Sequence, residues 1–222
     1  MTFKQLLLPL PLKGKEISFI ESPSNWEALA WIMRWPEWPL KHIAVHGEAG
    51  CGKTHLAKIF QEKIGAYWVQ KEDLQQTPDS ILQKASTFII DNYDEIKNET
   101  WLFHFYNLTK EYQADVLYCG RHSPGQSLFT LPDLRSRIRS IHAITISQPE
   151  EELLQKIMQQ RFRNAGVWLP RDFLDISHYV LNRIERSYTA LDKFIAITDE
   201  KMLQEQRPFS ISLVRDILTN FV

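Results

Sequence analysis

The spacing of hydrophobic and polar positions changes near residue 148 of the chain. Before that point, short apolar runs alternate with stretches long enough for helices. We predict strands at Lys41–His46, Ala66–Gln70, Thr87–Asp91, Asp115–Cys119 and His142–Ile146. Regular alternation of strands and helices is typical of a parallel sheet covered on both faces. The first part of the chain therefore predicts an α/β fold with a five-stranded parallel sheet.

Helical periodicity dominates after Pro149. Apolar residues recur at three- and four-residue spacing, and no apolar run of strand type interrupts them. We predict helices at Glu150–Asn164, Pro170–Asn182, Arg186–Gln204 and Ser210–Phe221. Earlier in the chain, the same spacing predicts a helix at Thr54–Ile64 that ends at Gly65. We therefore expect a small all-α domain from residue 149 to 222.

Composition narrows the class of protein. The chain has 26 basic and 27 acidic residues, and this balance lacks the excess of positive charge expected of a dedicated duplex-DNA binder. It has two cysteines, so we expect a reducing, cytoplasmic setting rather than a disulfide framework. No apolar run approaches the length of a membrane span, and two prolines interrupt the leucine-rich start, so neither membrane insertion nor export is expected.

A phosphate-binding motif follows the first predicted strand. The segment Gly47–Thr54, GEAGCGKT, fits G-x-x-x-x-G-K-[ST] in full and opens a predicted helix. Backbone amides can surround phosphates only where side chains stay out of the way, which explains Gly47, Gly50 and Gly52. Lys53 would then reach the terminal phosphates and Thr54 would hold Mg²⁺. The alternative is a glycine-rich turn that matches by chance.

A second acid at a neighbouring strand is needed to hold the magnesium ion. Asp91 ends the apolar strand Thr87–Asp91 and is placed to do so. Asn92 follows where many ATPases carry an acid that activates water, and an amide can orient water but cannot accept its proton. We expect Asp94 and Glu95 to be solvated on a loop. The pattern predicts a site that binds nucleotide better than it hydrolyses it.

Two groups of arginines are candidates for contacting a nucleotide. Arg135, Arg137 and Arg139 follow the fourth predicted strand, and one of them would project towards the nucleotide of a neighbouring subunit. The alternative is a solvated basic helix. Arg186, at the start of a predicted helix, would sense nucleotide bound to the same chain, or form a surface ion pair with Glu185 or Asp192.

Taken together, these motifs resemble the AAA+ family, in the branch of the replication initiator DnaA. The similarity covers FIESPSN at 19–25, GEAGCGKTHL at 47–56, FIIDN at 88–92, LPDLRSRI at 131–138 and ERSYTAL at 185–191. The resemblance implies that Lys53, Thr54 and Asp91 bind nucleotide and metal. It implies that Arg137 is the arginine finger and that Arg186 is the sensor-two residue. Cys51 and His55 lie inside the matched loop and are counted with the nucleotide-binding residues, although we expect no chemistry from either.

The chain departs from the family pattern in two places. YCGRHSP at 118–124 matches poorly where a polar sensor-one residue is usual, which weakens the expectation of self-hydrolysis. The initiator continues into a helix-turn-helix domain, and no residues for one follow the predicted lid. We therefore expect no direct sequence-specific binding to DNA.

The leucine-rich start has an explanation within the same family. Regulatory members of this branch carry a peptide of the form Q-L-x-L-P-L that docks on the DNA polymerase sliding clamp, and Gln5–Leu10 reads QLLLPL. Gln5 would bond at the pocket rim, Leu8 and Leu10 would be buried, Leu6 would make a side contact, and Pro9 would keep the peptide out of a helix. The alternative is an arm packed on its own domain.

The resemblance implies a regulator of replication. We expect a clamp-binding peptide at 1–13, a nucleotide-binding domain at 14–148 and a helical lid at 149–222. The expected cofactors are ADP or ATP with Mg²⁺, and the expected partners are the sliding clamp and DnaA. Two alternatives stay open: a stand-alone ATPase of the helicase-loader kind, and a non-catalytic adaptor bound to the clamp. Assembly with further copies of the chain is also left open.

Overall fold

The computed structural model describes residues 20–219 and residue 221. Contacts among them form two compact units, one holding Asn25–Ser147 with Ile20 and Glu21, the other holding residues from Gln148 onwards with Ser22–Ser24. The strands are β1 His42–His46, β2 Tyr67–Trp68, β3 Thr87–Asp91, β4 Asp115–Gly120 and β5 His142–Thr145. The helices are α1 Trp26–Met33, α2 Lys53–Ile64, α3 Pro78–Leu82, α4 Glu99–Glu111, α5 Pro132–Arg139, α6 Glu151–Asn164, α7 Phe173–Leu181, α8 Tyr188–Glu205 and α9 Ile211–Leu218.

The five strands form one parallel sheet in the order β2-β3-β4-β1-β5, which confirms the predicted fold class. Cys119 of β4 lies between Val45 of β1 and Asp91 of β3 in the register. Because all strands run the same way, their carboxyl ends meet at one edge of the sheet. The loops after β1, β3 and β4 therefore start side by side.

Alternating side chains of the strands build a core on each face of the sheet. Ile43 and Val45 of β1 join one buried cluster with Phe60 of α2. Ala44 joins the other, which contains Phe105 of α4. Burial on both faces explains why these strands read as almost continuous apolar runs.

The edge strand β2 is shorter than predicted. The sequence predicts a strand at Ala66–Gln70, and the structure has one at Tyr67–Trp68. The chain turns into a short 3₁₀ helix at Lys71–Gln75, whose Asp73 carboxylate accepts hydrogen bonds from the Gln70 N–H and the Tyr67 hydroxyl. These bonds fold the chain away from its neighbour β3 after a few residues.

Among the residues that the structure describes, the second unit contains helices and loops but no strand, as predicted. Its helices α6–α9 surround a core of their own that includes Phe162, Phe194 and Leu213. The prediction that a helix begins at Arg186 is wrong, because the Ser187 hydroxyl accepts the Ala190 N–H and α8 starts after it. In neither unit is a described helix long and apolar enough to cross a membrane.

Candidate nucleotide-binding site

The phosphate loop connects the end of β1 to the first turn of α2. Gly50 and Gly52 have φ angles of 73° and 104°, a backbone region that glycine enters without strain. Gly47 is required for another reason, since a Cβ atom there would lie 2.2 Å from the Ile146 carbonyl oxygen. Two of the three glycines therefore shape the turn, and the first allows β1 to lie close to the chain that leaves β5.

The Lys53 ammonium group is bonded to the loop itself. Its Nζ donates hydrogen bonds to the Gly47 carbonyl at 2.7 Å and the Glu48 carbonyl at 2.8 Å, and contacts the Cys51 sulfur at 3.7 Å. The residue is 7% exposed, and a buried ammonium needs such partners. Lys53 thus lies inside the loop, where a phosphate group would compete for its protons.

Thr54 and Asp91 meet where the tips of the loop and β3 approach each other. The Thr54 hydroxyl donates to Asp91 Oδ2 at 2.9 Å, and the Asn92 N–H donates to Oδ1 at 3.0 Å. A hydroxyl and one carboxylate are oxygen ligands that suit Mg²⁺, which commonly completes its shell with phosphate oxygens and water. Among the described residues no group of three or more His, Cys, Asp or Glu side chains could hold a metal alone. The donors present therefore fit a Mg²⁺ ion held together with a nucleotide.

Asp94 is not solvated, contrary to the expectation from the sequence. Its side chain is 14% exposed, and Oδ2 accepts hydrogen bonds from the N–H groups of Arg121 and His122 at 2.8 and 3.1 Å. A Cβ atom at Gly120 would lie 2.5 Å from the Tyr93 ring. Asp94 therefore connects the loop after β3 to the loop after β4. The close packing of Tyr93 leaves no room for a side chain at Gly120, the tip of β4.

At the β4 tip, neither Cys119 nor Arg121 can accept a proton from water. Burial raises the pKa of the Cys119 thiol well above its usual range, so the thiol stays protonated. Arg121 is a cation on the exposed side, with Nε 3.9 Å from Glu95 Oε1. Asn92, in the left-handed region with φ 52°, is exposed and offers an amide. A carboxylate in the place of Asn92 would be needed for a general base there.

Cys51 and His55, which the sequence motif also includes, are both withdrawn from solvent to some degree. Cys51 is buried, and burial raises the pKa of its thiol although the nearby Lys53 opposes the change. His55 is half-buried in the first turn of α2. Next to the loop, burial and then Lys53 lower the pKa of His46, whose Nε2 lies 3.1 Å from the Thr145 hydroxyl. Cys51 and His46 therefore carry no charge at neutral pH.

The three arginines of α5 do not form one basic patch. Leu134 and Ile138 are fully buried on the side of the helix that faces the core. Residues four apart share a side of a helix, so Arg135 and Arg139 lie on one flank of α5 and Arg137 lies on the opposite flank. Arg137 is exposed and forms no ion pair with any described residue. Its head group is therefore available to another molecule.

Arg186 lies in the helical unit, where its partner differs from both candidates suggested by the sequence. Its guanidinium donates to Glu151 Oε2 at 3.3 Å, and His178 Nδ1 contacts the other oxygen of the same carboxylate. Asp192 instead pairs with Arg161 at 3.5 Å. The role of Arg186 in nucleotide sensing stays a prediction.

Three carboxylates at these sites have no signal in the sequence motifs. Asp94 and Glu99 bond to loops about thirty residues away, and Glu151 holds Arg186 from 35 positions away. Nothing local marks such contacts, because they depend on which loops the sheet brings together. Gln5, Leu6, Leu8, Pro9 and Leu10, the predicted clamp-binding residues, lie outside the described residues, as does Phe19.

A parallel sheet in this order with a phosphate loop after β1 defines a P-loop fold. Among solved structures, domain III of the Thermotoga maritima replication initiation protein DnaA matches with a TM-score of 0.76 and 17% identity, over 92% of this chain and 95% of that one. AMPPCP-bound DnaA from Aquifex aeolicus matches with a TM-score of 0.64 and 17% identity, over 84% of this chain and 65% of that one. The particular fold is thus the AAA+ fold found in DnaA.

Sequence comparisons show a more limited similarity to known proteins. An uncharacterized protein from Haemophilus influenzae is 24% identical over 190 residues, which span 78% of this chain and 80% of that protein. No protein-family model matches the chain. The fold, rather than sequence identity, is what relates this chain to DnaA.

Proposed function

We propose that this chain binds ADP or ATP with Mg²⁺, docks on the sliding clamp through Gln5–Leu10, and promotes hydrolysis of ATP bound to DnaA. Such an activity would make it a regulator of replication initiation of the kind known as Hda. The proposal rests on two features that occur together in one compact unit. A phosphate loop with the Thr54–Asp91 bond formed occurs together with an exposed Arg137 that has no ion-pair partner among the described residues.

Nucleotide binding is supported by the chemistry of the loop. Lys53 donates hydrogen bonds to two carbonyl groups of the loop. Phosphate oxygens are stronger acceptors for an ammonium group than these neutral carbonyls. The amino end of α2 adds backbone N–H groups at the same point. Aquifex aeolicus DnaA, which has the same fold, is bound to AMPPCP, and this supports the choice of an adenine nucleotide. When bound, Mg²⁺ would neutralise charge on the phosphates.

Weak hydrolysis by the chain itself is supported by the surroundings of Asp91. Asn92 cannot accept a proton from water, and Asp94 is engaged with the loop after β4. A chain that contributes an arginine to its partner has no need of a general base of its own. Arg137 would stabilise charge on the phosphoryl group transferred in DnaA.

Docking on the clamp is supported by the sequence of the peptide. Burying two leucines is worth about 3–6 kcal/mol before ordering costs, which is enough for a weak, transient contact. Such a contact would concentrate the chain where replication has begun.

The decisive experiment measures hydrolysis in DnaA. DnaA is loaded with radiolabelled ATP and mixed with clamp-loaded DNA and the wild-type chain. We expect single-turnover hydrolysis about 10³-fold faster than without the chain, and loss of both clamp pull-down and stimulation in Gln5→Ala/Leu8→Ala. An unchanged rate overturns the proposal. Rapid ATP turnover by the chain alone favours a stand-alone ATPase, and full regulation by a folded Lys53→Ala protein favours an adaptor.

Lys53→Ala tests the nucleotide site directly. Hydrogen bonds to charged groups contribute about 1.5–3 kcal/mol, so we expect the dissociation constant for a fluorescent ADP analogue to rise about tenfold to a hundredfold. Lys58→Ala is the matched control, because Lys58 is exposed on the same helix. Equal affinities of the two variants would contradict the assignment of Lys53.

A further inference from the structure

The amino end of α5 is attached to the first residue of α4. Glu99 Oε2 accepts the Leu131 N–H at 2.6 Å, and Oε1 accepts the Thr130 N–H at 3.0 Å. The Thr130 hydroxyl lies 3.1 Å from both carboxylate oxygens and donates to them. Leu131 immediately precedes α5. One carboxylate therefore holds the turn from which α5 starts.

The opposite end of α5 is attached to the same helix. The Tyr106 hydroxyl of α4 lies 3.3 Å from the hydroxyl of Ser140, which follows the last residue of α5. Between the two ends, Leu134 and Ile138 belong to the buried cluster that contains Phe105 of α4. The helix that carries Arg137 is thus fixed along α4 by a polar contact at each end and an apolar contact between them.

The chain leading into α5 has little regular structure of its own. After the bonds from Asp94 to the backbone of Arg121 and His122, the described segment 123–131 contains one short 3₁₀ turn at Pro124–Gln126. Leu128 within it is 80% exposed. Without the Glu99 carboxylate, the start of α5 would lose its main polar anchor. The orientation of the helix would then depend chiefly on its apolar contacts.

We propose that Glu99 is a positioning residue for Arg137, holding α5 in the orientation that presents the guanidinium to the nucleotide of a partner. This role rests on the proposed function of Arg137 as an arginine supplied in trans. Because transition-state stabilisation depends on placement to within about an ångström, a loosened α5 lowers the stimulated rate without removing the arginine.

The negative charge of Glu99 is essential to this contact. The groups bonded to its carboxylate are all donors. The Thr130 N–H, ahead of the Leu131 N–H, keeps the pKa of Glu99 below its usual range, although desolvation opposes the shift. In Glu99→Gln, one oxygen is replaced by an NH₂ group, which cannot accept a hydrogen bond. This variant keeps the shape of the side chain and removes half of the acceptors.

Hydrogen exchange tests the anchor without any partner. In the full chain, we expect the amides of Thr130 and Leu131 to exchange about tenfold faster in Glu99→Gln than in wild type, since hydrogen bonds to charged groups protect by roughly this factor. Glu111→Gln, at the exposed end of the same helix, should leave them unchanged. Thr130→Val removes only the hydroxyl contacts and should give a smaller change in the same direction. Unchanged exchange in Glu99→Gln overturns the proposal.

Stimulated hydrolysis in DnaA tests the consequence. We expect Glu99→Gln to lower the maximal rate about tenfold while the concentration for half-maximal stimulation stays the same. In an Arg137→Ala background, Glu99→Gln should cause no further loss, because Glu99 acts through that arginine. Additive losses overturn the positioning role. If Arg137→Ala itself has no effect while the Glu99 exchange result holds, the proposed function fails and the anchor stands.

Discussion

Arg137→Ala is expected to lower the stimulated hydrolysis of DnaA-bound ATP by about 10³-fold, the lower end of the range for an arginine supplied in trans. The side chain is exposed and unpaired among the described residues, so its removal breaks no internal ion pair there. Stability should therefore change by less than about 0.5 kcal/mol. The measurement is single-turnover hydrolysis of labelled ATP on DnaA, with clamp pull-down performed on the same preparations.

Arg139→Ala is the control that the geometry of α5 provides. Arg139 is exposed on the same helix but lies on the other flank, together with Arg135. Loss of one positive charge affects both variants equally, whereas loss of a placed guanidinium affects Arg137→Ala alone. Equal losses in the two variants would indicate a general electrostatic contribution, and the assignment of Arg137 as the arginine finger would be wrong.

His42→Leu is expected to remove a large part of the acid sensitivity of the fold. His42 is 1% exposed at the start of β1, with its ring centroid 4.7 Å from that of Tyr106 and 5.7 Å from that of Tyr118. Neither ring nitrogen has a hydrogen-bond partner among the described residues. Burial, with a smaller contribution from the charge of Lys110, lowers its pKa from 6.5 to about 3. The folded protein therefore keeps this histidine neutral over a range in which the unfolded chain protonates it.

The sign and size of the effect follow from that difference. Below pH 6.5, His42 binds a proton in the unfolded state but not in the folded state. The free energy of unfolding therefore falls as the pH falls. At about 1.4 kcal/mol per pH unit, wild type should lose about 2 kcal/mol at pH 5 through this residue. In urea denaturation, His42→Leu should lack this loss, whereas His104→Leu, at an exposed position of α4, should keep it. The same pH dependence in His42→Leu and wild type would contradict the account.

Where a strand or helix depends on a local sequence pattern, its bounds were predictable to within a few residues. β3 was predicted with its observed bounds, and α2 ends as predicted at Gly65, which adopts φ 71°. The helix predicted from Pro170 begins at Phe173, and two other errors have a visible cause in the structure. Asp73 shortens β2, and the Ser187 cap starts α8 two residues after the predicted position.

The residues of the phosphate site also include some that the sequence predicts and others that only the structure reveals. Lys53, Thr54 and Asp91 follow from motifs because each occupies a fixed position relative to a strand end, and the sheet brings those ends together. The engagement of Asp94 could not be predicted, because its partners at Arg121 and His122 are 27 and 28 positions away. Its spacing from them carries no period that a sequence pattern could reveal.

The sequence by itself determined the parallel sheet, the phosphate loop after β1 and the helical second unit, since each depends on the periodicity or spacing of neighbouring residues. Only the tertiary structure decided which carboxylate holds which loop: Asp94 the tip of β4, Glu99 the start of α5, and Glu151 the guanidinium of Arg186. The reason is physical. A hydrogen bond forms between groups that the packed chain brings within about 3 Å of each other, and that proximity is set by the core beneath them.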